Sequence, residues 1–338
     1  MEVIVIKRIL LGLCVLVFTA SALSVNAHAQ SCTGWWSTGW NYMLNPPPQA
    51  AFGCEVMGPW LETCQMMNTN CAPPPECADC GKRNPLSGKP ISLTTGNTDI
   101  KQVDVNIPGL GGGLTVARIW NSIWPPTQSA FQVGLFGPNW RSTYEERVFV
   151  GNDHYVKYAR NDGGFWSFGF SAGTYVPVAP ANATATLVQG SNYWTLTFQN
   201  GEQRRFDINS GSLIAIIDRN GNATSLSYDA TNRLTTVTDP ASRHLTFAYG
   251  SGTSRLVTSV TSDVGLTLSY SYDGQGRLSL VTYPDLTTIS FTYNSQSLIT
   301  AVTDSNNKTL ESHTYDSNGR GLTSSQAGGV NALTITYQ

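Results

Sequence analysis

The chain has 338 residues, room for about two domains. Charged residues make up 12% of it and the net charge is −2, so nothing in it is basic enough to point to nucleic acid. Glycine is abundant at 32 residues, and Ser, Thr and Asn are plentiful, which favours an all-β exported protein over a helical one.

Residues 1–29 read as a secretory leader. Lys7 and Arg8 form its basic start, Ile9 to Leu23 its apolar run, and Ala27-His28-Ala29 a small-x-small cleavage pattern before Gln30. The apolar run is short for a bilayer crossing, so no membrane span is expected after cleavage. The product is expected to be secreted or held at the cell surface, with the periplasm as the other exported location.

Residues 30–80 form a Cys/Pro-rich segment. It holds Cys32, Cys54, Cys64, Cys71, Cys77 and Cys80, together with two proline triplets and Trp35, Trp36, Trp40 and Trp60. An even cysteine count in an exported, loop-rich stretch reads as disulfide cross-links, with the pairing left open. Two rivals are weaker. Cys77-Ala78-Asp79-Cys80 has the spacing of a redox motif but no βαβ pattern around it. Zinc on Cys64, Cys71, Cys77 and Cys80 needs more regular spacing and a reducing compartment. The tryptophans read as the core of this small segment rather than as a glycan-stacking platform.

In the next stretch, residues 81–179, Gly169-Phe170-Ser171-Ala172-Gly173 matches the elbow of serine hydrolases. That elbow needs a strand before it and a helix after it. Phe165 to Phe168 supplies the strand, but Thr174-Tyr175-Val176-Pro177 is another β-like run. A hairpin turn is therefore expected, and a hydrolase on Ser171 is the reading that the context disfavours. His154, His244 and His313 stand apart from one another and read as packing residues. No metal or other cofactor is expected.

From residue 180 to 338 the chain repeats. An aromatic residue, usually followed by an acid or a small polar residue, closes a β-like run at Phe206-Asp207, Tyr228-Asp229, Tyr249-Gly250, Tyr272-Asp273, Tyr293-Asn294, Tyr315-Asp316 and Tyr337-Gln338. The gaps are 22, 21, 23, 21, 22 and 22 residues, a period that marks a repeat architecture. The runs alternate: Leu266, Leu268, Tyr270 and Tyr272 fall on one face and Thr267, Ser269 and Ser271 on the other, as half-buried strands require. Turn chemistry follows each mark, as in Asp229 to Asn232, Asp273 to Gly276 and Asp316 to Gly319. A second run comes next, such as Arg233 to Asp239 or Arg277 to Val281, and then another turn. One repeat is two antiparallel strands and two turns. The Tyr and Asp marks read as packing and turn-capping residues, and paired catalytic carboxylates are not expected of them.

These repeats resemble the Rhs or YD-repeat family, whose consensus runs roughly Tyr-Asp-x-x-Gly-Arg-Leu-x-x-Val-x-Asp. Tyr272 to Val281 is close to it, and Tyr228 to Asp239 follows it with Asn232 for Gly. The repeat after Tyr249 is degenerate, with Gly250 for Asp and an insertion before Val260. The stretch after Tyr293 lacks the Gly-Arg pair. The preceding segment is similar to the domain of unknown function that opens many Rhs proteins. The matching stretches are Asn84-Pro85 with Thr95-Gly96-Asn97, Pro108-Gly109 with Gly111 to Leu114, Ala117 to Ser122, and Phe136 to Trp140.

The resemblance implies a β-sheet strip that spirals into a hollow shell around a C-terminal toxic polypeptide, or an adhesion role at a surface. Both readings are non-enzymatic. The partners implied are a C-terminal toxin or the remaining Rhs shell, and otherwise cell-wall or surface glycans, without nucleic acid. The array stops at Tyr337-Gln338 with no capping sequence, so a piece of a larger gene product is expected, since repeat arrays protect their ends. The family's self-cleaving motif and a distinct C-terminal domain are missing from the sequence.

Overall fold

The computed structural model describes residues 91–337, apart from 152, 172 and 181. Before them it describes only the strand backbones Trp35–Tyr42, Cys54–Met57, Leu61–Met67 and Leu86–Ser87. The leader and the cross-linking expected of the six cysteines lie outside what is described.

Three strands build the opening domain. Leu114–Asn121 lies between Asp99–Ile107 and Trp140–Ser142, all antiparallel. Leu114, Val116, Arg118 and Trp120 alternate with partly exposed residues and are fully buried, as a strand with one covered face requires.

Beside this sheet lie two-stranded ladders of Leu86–Ser87 with Ile91–Ser92 and of Val133–Gly134 with Gly137–Pro138, and after it the chain runs as one 19-stranded meander. Each strand from Arg147–Val150 to Val330–Thr334 pairs antiparallel with the next. The all-β reading and the hairpin repeats are borne out. In Thr267–Tyr272 the hydroxyls of Thr267, Ser269 and Ser271 are exposed, while Leu268 and Tyr270 are buried. Turns alternate with strands, and each needs one left-handed residue. Asn232, Gly276, Ser297 and Gly319 fill that place after the tyrosine marks, at φ between 60° and 78°.

Every hairpin carries a β-bulge at its mark. Tyr228 pairs with Leu234 while Ser227 pairs with Thr236, which leaves Thr235 as the extra residue. The same shift falls at Tyr249, Tyr272, Tyr293 and Tyr315. The extra residue is Thr235, Thr258, Ser279 or Thr300 in the first four. Its hydroxyl donates to a carbonyl across the hairpin (3.0, 3.3, 3.1 and 3.2 Å). A regularly placed bulge adds twist at each repeat, so the sheet coils.

The sheet also closes on itself at its start. The Val148 amide donates to the Gly211 carbonyl at 2.9 Å, and Arg147 bridges Ser212. The first strand is thereby sealed against the turn after Phe206-Asp207. A Cβ on Gly211 would lie 1.9 Å from the Val148 carbonyl oxygen, so only glycine allows this approach. One continuous core joins the opening domain to the inward face of the repeats, from Trp120 and Trp140 to Phe247, Phe291 and Val302.

Candidate functional site

The tyrosine marks are staples between neighbouring repeats. The hydroxyls of Tyr228, Tyr249, Tyr272, Tyr293, Tyr315 and Tyr337 donate to the carbonyls of Leu213, Leu234, Val257, Leu278, Ile299 and Gly321. The distances are 2.6 to 2.8 Å. Each acceptor lies 15 or 16 residues earlier, at or beside the start of the preceding repeat's second strand. Burial pushes these phenols up, Tyr293 to about 12. Phe206 has no hydroxyl and is fully buried instead.

The aspartates cap the turns. Asp229 accepts the amides of Thr231 and Arg233 and the Arg233 guanidinium, at 2.9, 3.0 and 2.7 Å. Asp273 and Asp316 do the same with Arg277 and Arg320. Asp207 accepts from Asn209 and Ser210. Asn294 keeps both amide bonds but has no arginine. The Arg233 amide, then the Thr231 hydroxyl and the Arg233 guanidinium, hold Asp229 below the usual carboxylate range. Each arginine then lies over the tyrosine of the next repeat: Arg233 over Tyr249, Arg277 over Tyr293 and Arg320 over Tyr337, at 5.0, 4.6 and 4.1 Å. The Tyr-Asp-x-x-Gly-Arg pattern thus couples repeats as well as shaping turns. After Tyr249 the coupling is looser: Gly250 offers no carboxylate, and Tyr249 pairs with Val257 across a longer turn.

The opening domain is seated on this array at discrete stations. Two residues before a mark, each repeat turns one side chain inward, and three of these meet an opening-domain aromatic. Phe247 faces Tyr144, Tyr270 faces Phe136 and Phe291 faces Trp140, with ring centres 6.3, 4.7 and 5.3 Å apart. Glycines allow the backbones to touch. Arg243 donates to the Pro108 carbonyl at 2.9 Å, and a Cβ on Gly109 would meet that guanidinium. Gly137 rests on the Gly276 carbonyl. The Gly96 carbonyl accepts the Gly321 amide at 2.8 Å. Asn97, Asn121 and Asn139 tie the stations together: Asn97 Nδ2 donates to Asn121 Oδ1, and Asn139 Nδ2 to the Asn121 carbonyl, both at 2.8 Å.

At the centre of the seat is a buried ion pair. Arg118 donates through Nε and Nη2 to Asp104, and both side chains are fully buried. Tyr270 and Tyr283 come from the repeat sheet and donate to the same carboxylate at 3.0 and 3.2 Å. The guanidinium also lies over Phe136, Trp140, Tyr270 and Phe291, between 4.7 and 5.9 Å. Burial alone lowers an arginine, but the Asp104 charge outweighs it and holds Arg118 above its ordinary value. Burial, and then Asp104, raise Tyr283 to about 12. Asp104 accepts from both layers and Arg118 lies over rings of both, so the cluster ties the opening domain to one place on the repeats, while Arg118 Nη1 is buried without a hydrogen-bond partner.

Asp104 and Tyr283 were not legible as site residues, because the partners lie 166 and 179 positions apart. Ser171 ends the strand Phe165–Ser171 and pairs with Thr174 in a hairpin, with Thr174–Ala179 following as a strand. His244 lies 3.2 Å from Asp263, and His313 is buried in the inward row. Among the described residues no cluster has the makings of a metal site, and no helix is long and apolar enough to cross a membrane. A cleft of about 620 Å³ lies between Tyr158, Trp166, Phe198, Glu146 and Arg204. Its charges are paired internally: Glu146 accepts from Tyr158 and Arg204 at 2.8 and 3.0 Å, and Arg204 also meets Glu202.

Stapled hairpins and a seated opening domain define an all-β repeat scaffold. Residues 88–168 match the family described as Domain of unknown function (DUF6531), and residues 210–244 and 255–288 match RHS Repeat. The chain is a member of the Rhs/YD-repeat family, with the DUF6531 domain ahead of its repeats. It is 30% identical over 146 residues to the tRNA nuclease WapA of Bacillus subtilis strain 168, and equally to the tRNA3(Ser)-specific nuclease WapA of Bacillus spizizenii. That match covers 43% of this chain and 6% of either relative. Among solved structures, a TcdB2-TccC3-Cdc42 complex aligns with 67% of this chain and 15% of its own, at 13% identity and a TM-score of 0.31. A Photorhabdus luminescens Tc holotoxin pore aligns with 68% and 14%, at 12% identity and a TM-score of 0.30.

Proposed function

We propose that this chain is a non-enzymatic wall section of an Rhs-type shell that encloses or displays a C-terminal toxin or partner polypeptide. The observation that carries the reading is the seat. The opening domain is seated on the inward face of the repeats from Phe247 to Gly321, so the coiling sheet is built around a polypeptide core. Stapling each repeat to the one before makes a stiff wall rather than a flexible array. The named nuclease activity of the relatives belongs to proteins of which this chain spans 6%, and it is not carried over.

The test begins by reading the frame past codon 338. The intact product is then digested with protease, and survival of its C-terminal polypeptide is followed. Protection that vanishes when the sheet is denatured supports the shell. Digestion as fast as that of the isolated C-terminal polypeptide overturns it.

The cleft beside Trp166 favours a second reading, surface adhesion. With its charges internally paired, with Asn161, Gln199 and Asn200 at its rim and with aromatic walls, it suits a neutral polyhydroxylated ligand. Saturable binding to cell-wall polysaccharide, lost in Trp166→Ala, supports it. Equal binding by both proteins refutes it.

A further inference from the structure

A second cavity, of about 360 Å³, lies where the opening domain meets the first repeats. Four arginines line it, Arg141, Arg147, Arg233 and Arg255, against two carboxylates, Glu145 and Glu146. Charge taken out of water is costly unless it is paired, so this excess of arginine needs an account. Two of these groups are already matched elsewhere: Asp229 holds Arg233 at 2.7 Å, and Glu146 is held by Arg204 and Tyr158. Arg141, Arg147 and Arg255 then face Glu145 alone.

Their contacts leave charge uncompensated. Arg147 donates to the Ser210 carbonyl, at 3.1 and 2.6 Å, and Arg255 to the Thr231 carbonyl, at 3.1 and 3.0 Å. Neither has a carboxylate partner among the described residues. Arg141 lies 3.6 Å from Glu145, a loose contact. Burial, and then the neighbouring Arg255, lower Arg147 from its ordinary value, so the two cations feel each other.

Glu145 adds an independent observation. Its side chain is 9% exposed. One oxygen accepts the Leu135 amide at 2.6 Å and the carboxylate lies beside the Ser142 hydroxyl and amide, yet Oε2 is buried with no donor in hydrogen-bonding geometry. An unsatisfied buried carboxyl oxygen is costly, so it marks a place where a hydrogen belongs.

We propose that this cavity binds a small oxyanion that carries a hydrogen, with monohydrogen phosphate as the type. Its charged oxygens accept from Arg147 and Arg255, which match such oxygens in fork geometry. The hydrogen on the ligand is donated to Glu145 Oε2, the buried oxygen that lacks a donor. Because Arg141, Glu145 and Arg147 come from the opening domain and the start of the sheet, and Arg255 from the repeats, the anion ties the two parts together. Occupancy stabilises the docked state alone.

The experiment is calorimetric titration of inorganic phosphate into the full chain at fixed ionic strength, with succinate as a parallel probe. Saturable binding at one site is expected for wild type, weakened at least tenfold in Arg255→Gln. Arg255 is exposed in the connection before the strand Val257–Ser262, so that variant should keep the wild-type near-UV circular dichroism. Glu145→Gln, which supplies its own N–H donors, should retain binding. Tighter binding of phosphate than of succinate, a dianion with no hydrogen to donate at neutral pH, is expected, and the reverse order overturns the assignment of a hydrogen-carrying oxyanion. Absence of saturable heat with both probes, or undiminished binding in Arg255→Gln, overturns the proposal.

Discussion

Replacing Tyr293 by Phe removes one hydroxyl and almost nothing else. The ring stays buried beneath Arg277, so packing and the cation–π contact persist. What disappears is the 2.8 Å bond to the Leu278 carbonyl. A net hydrogen bond contributes about 1 kcal/mol, and stranding a partly buried acceptor adds to that, so the loss should be about 1–2 kcal/mol. For a domain of this size each kcal/mol shifts Tm by roughly 2–4 °C. Tyr193→Phe is the control. Tyr193 also lies beside an arginine, Arg205 at 4.8 Å, but its hydroxyl is not a staple. Its substitution should stay within about 0.5 kcal/mol. The assay is urea unfolding at equal protein concentration, with the slope checked for constancy. If Tyr293→Phe costs no more than Tyr193→Phe, the staples do not hold the repeats together and the reading of the marks is wrong.

Asp104→Asn should cost about 3–5 kcal/mol, because Arg118 would stay buried without its counter-charge. Replacing both Asp104 and Arg118 by apolar residues should cost less than either single change, and a double-mutant cycle measures this. Gly137→Ala places a Cβ 2.8 Å from the Gly276 carbonyl at φ +100°, so a loss of at least ~2 kcal/mol is expected by thermal melting. Protease sensitivity of the opening domain should rise with it. The stapled phenols give a pH signature. Burial raises Tyr228, Tyr272, Tyr293 and Tyr315 above the ordinary value of about 10. The stability they contribute is complete below that ordinary value and is lost as pH climbs from it toward the folded-state values. Phenolate absorbance should therefore appear together with unfolding, and ionisation near pH ~10 with the sheet intact would contradict this. The depressed Asp229 acts oppositely: its stabilisation holds above about pH 4 and fades only as pH falls further. An acid titration by circular dichroism that shows loss well above that value would argue against the cap.

The sequence by itself determined the local structure. Alternation in Leu266 to Tyr272, the Asp-x-x-Gly turns and the regular spacing are short-range facts, because strand faces and turn dihedrals depend on neighbouring residues. From them the strands, the turns and the repeat unit were legible. The role of Asp229 as a turn cap was legible too, since its donors lie two and four residues on. What a tyrosine hydroxyl does was not, because its acceptor lies 15 or 16 positions away, in the preceding repeat. The pairing of inward aromatics with Phe136, Trp140 and Tyr144 depends on where the coil places each repeat against the opening domain. The Arg118–Asp104 cluster with Tyr270 and Tyr283, and the cavity shared by Glu145 and Arg255, arise only when two distant stretches are packed face to face. Periodicity encodes the strip, and tertiary packing decides what the strip is wrapped around.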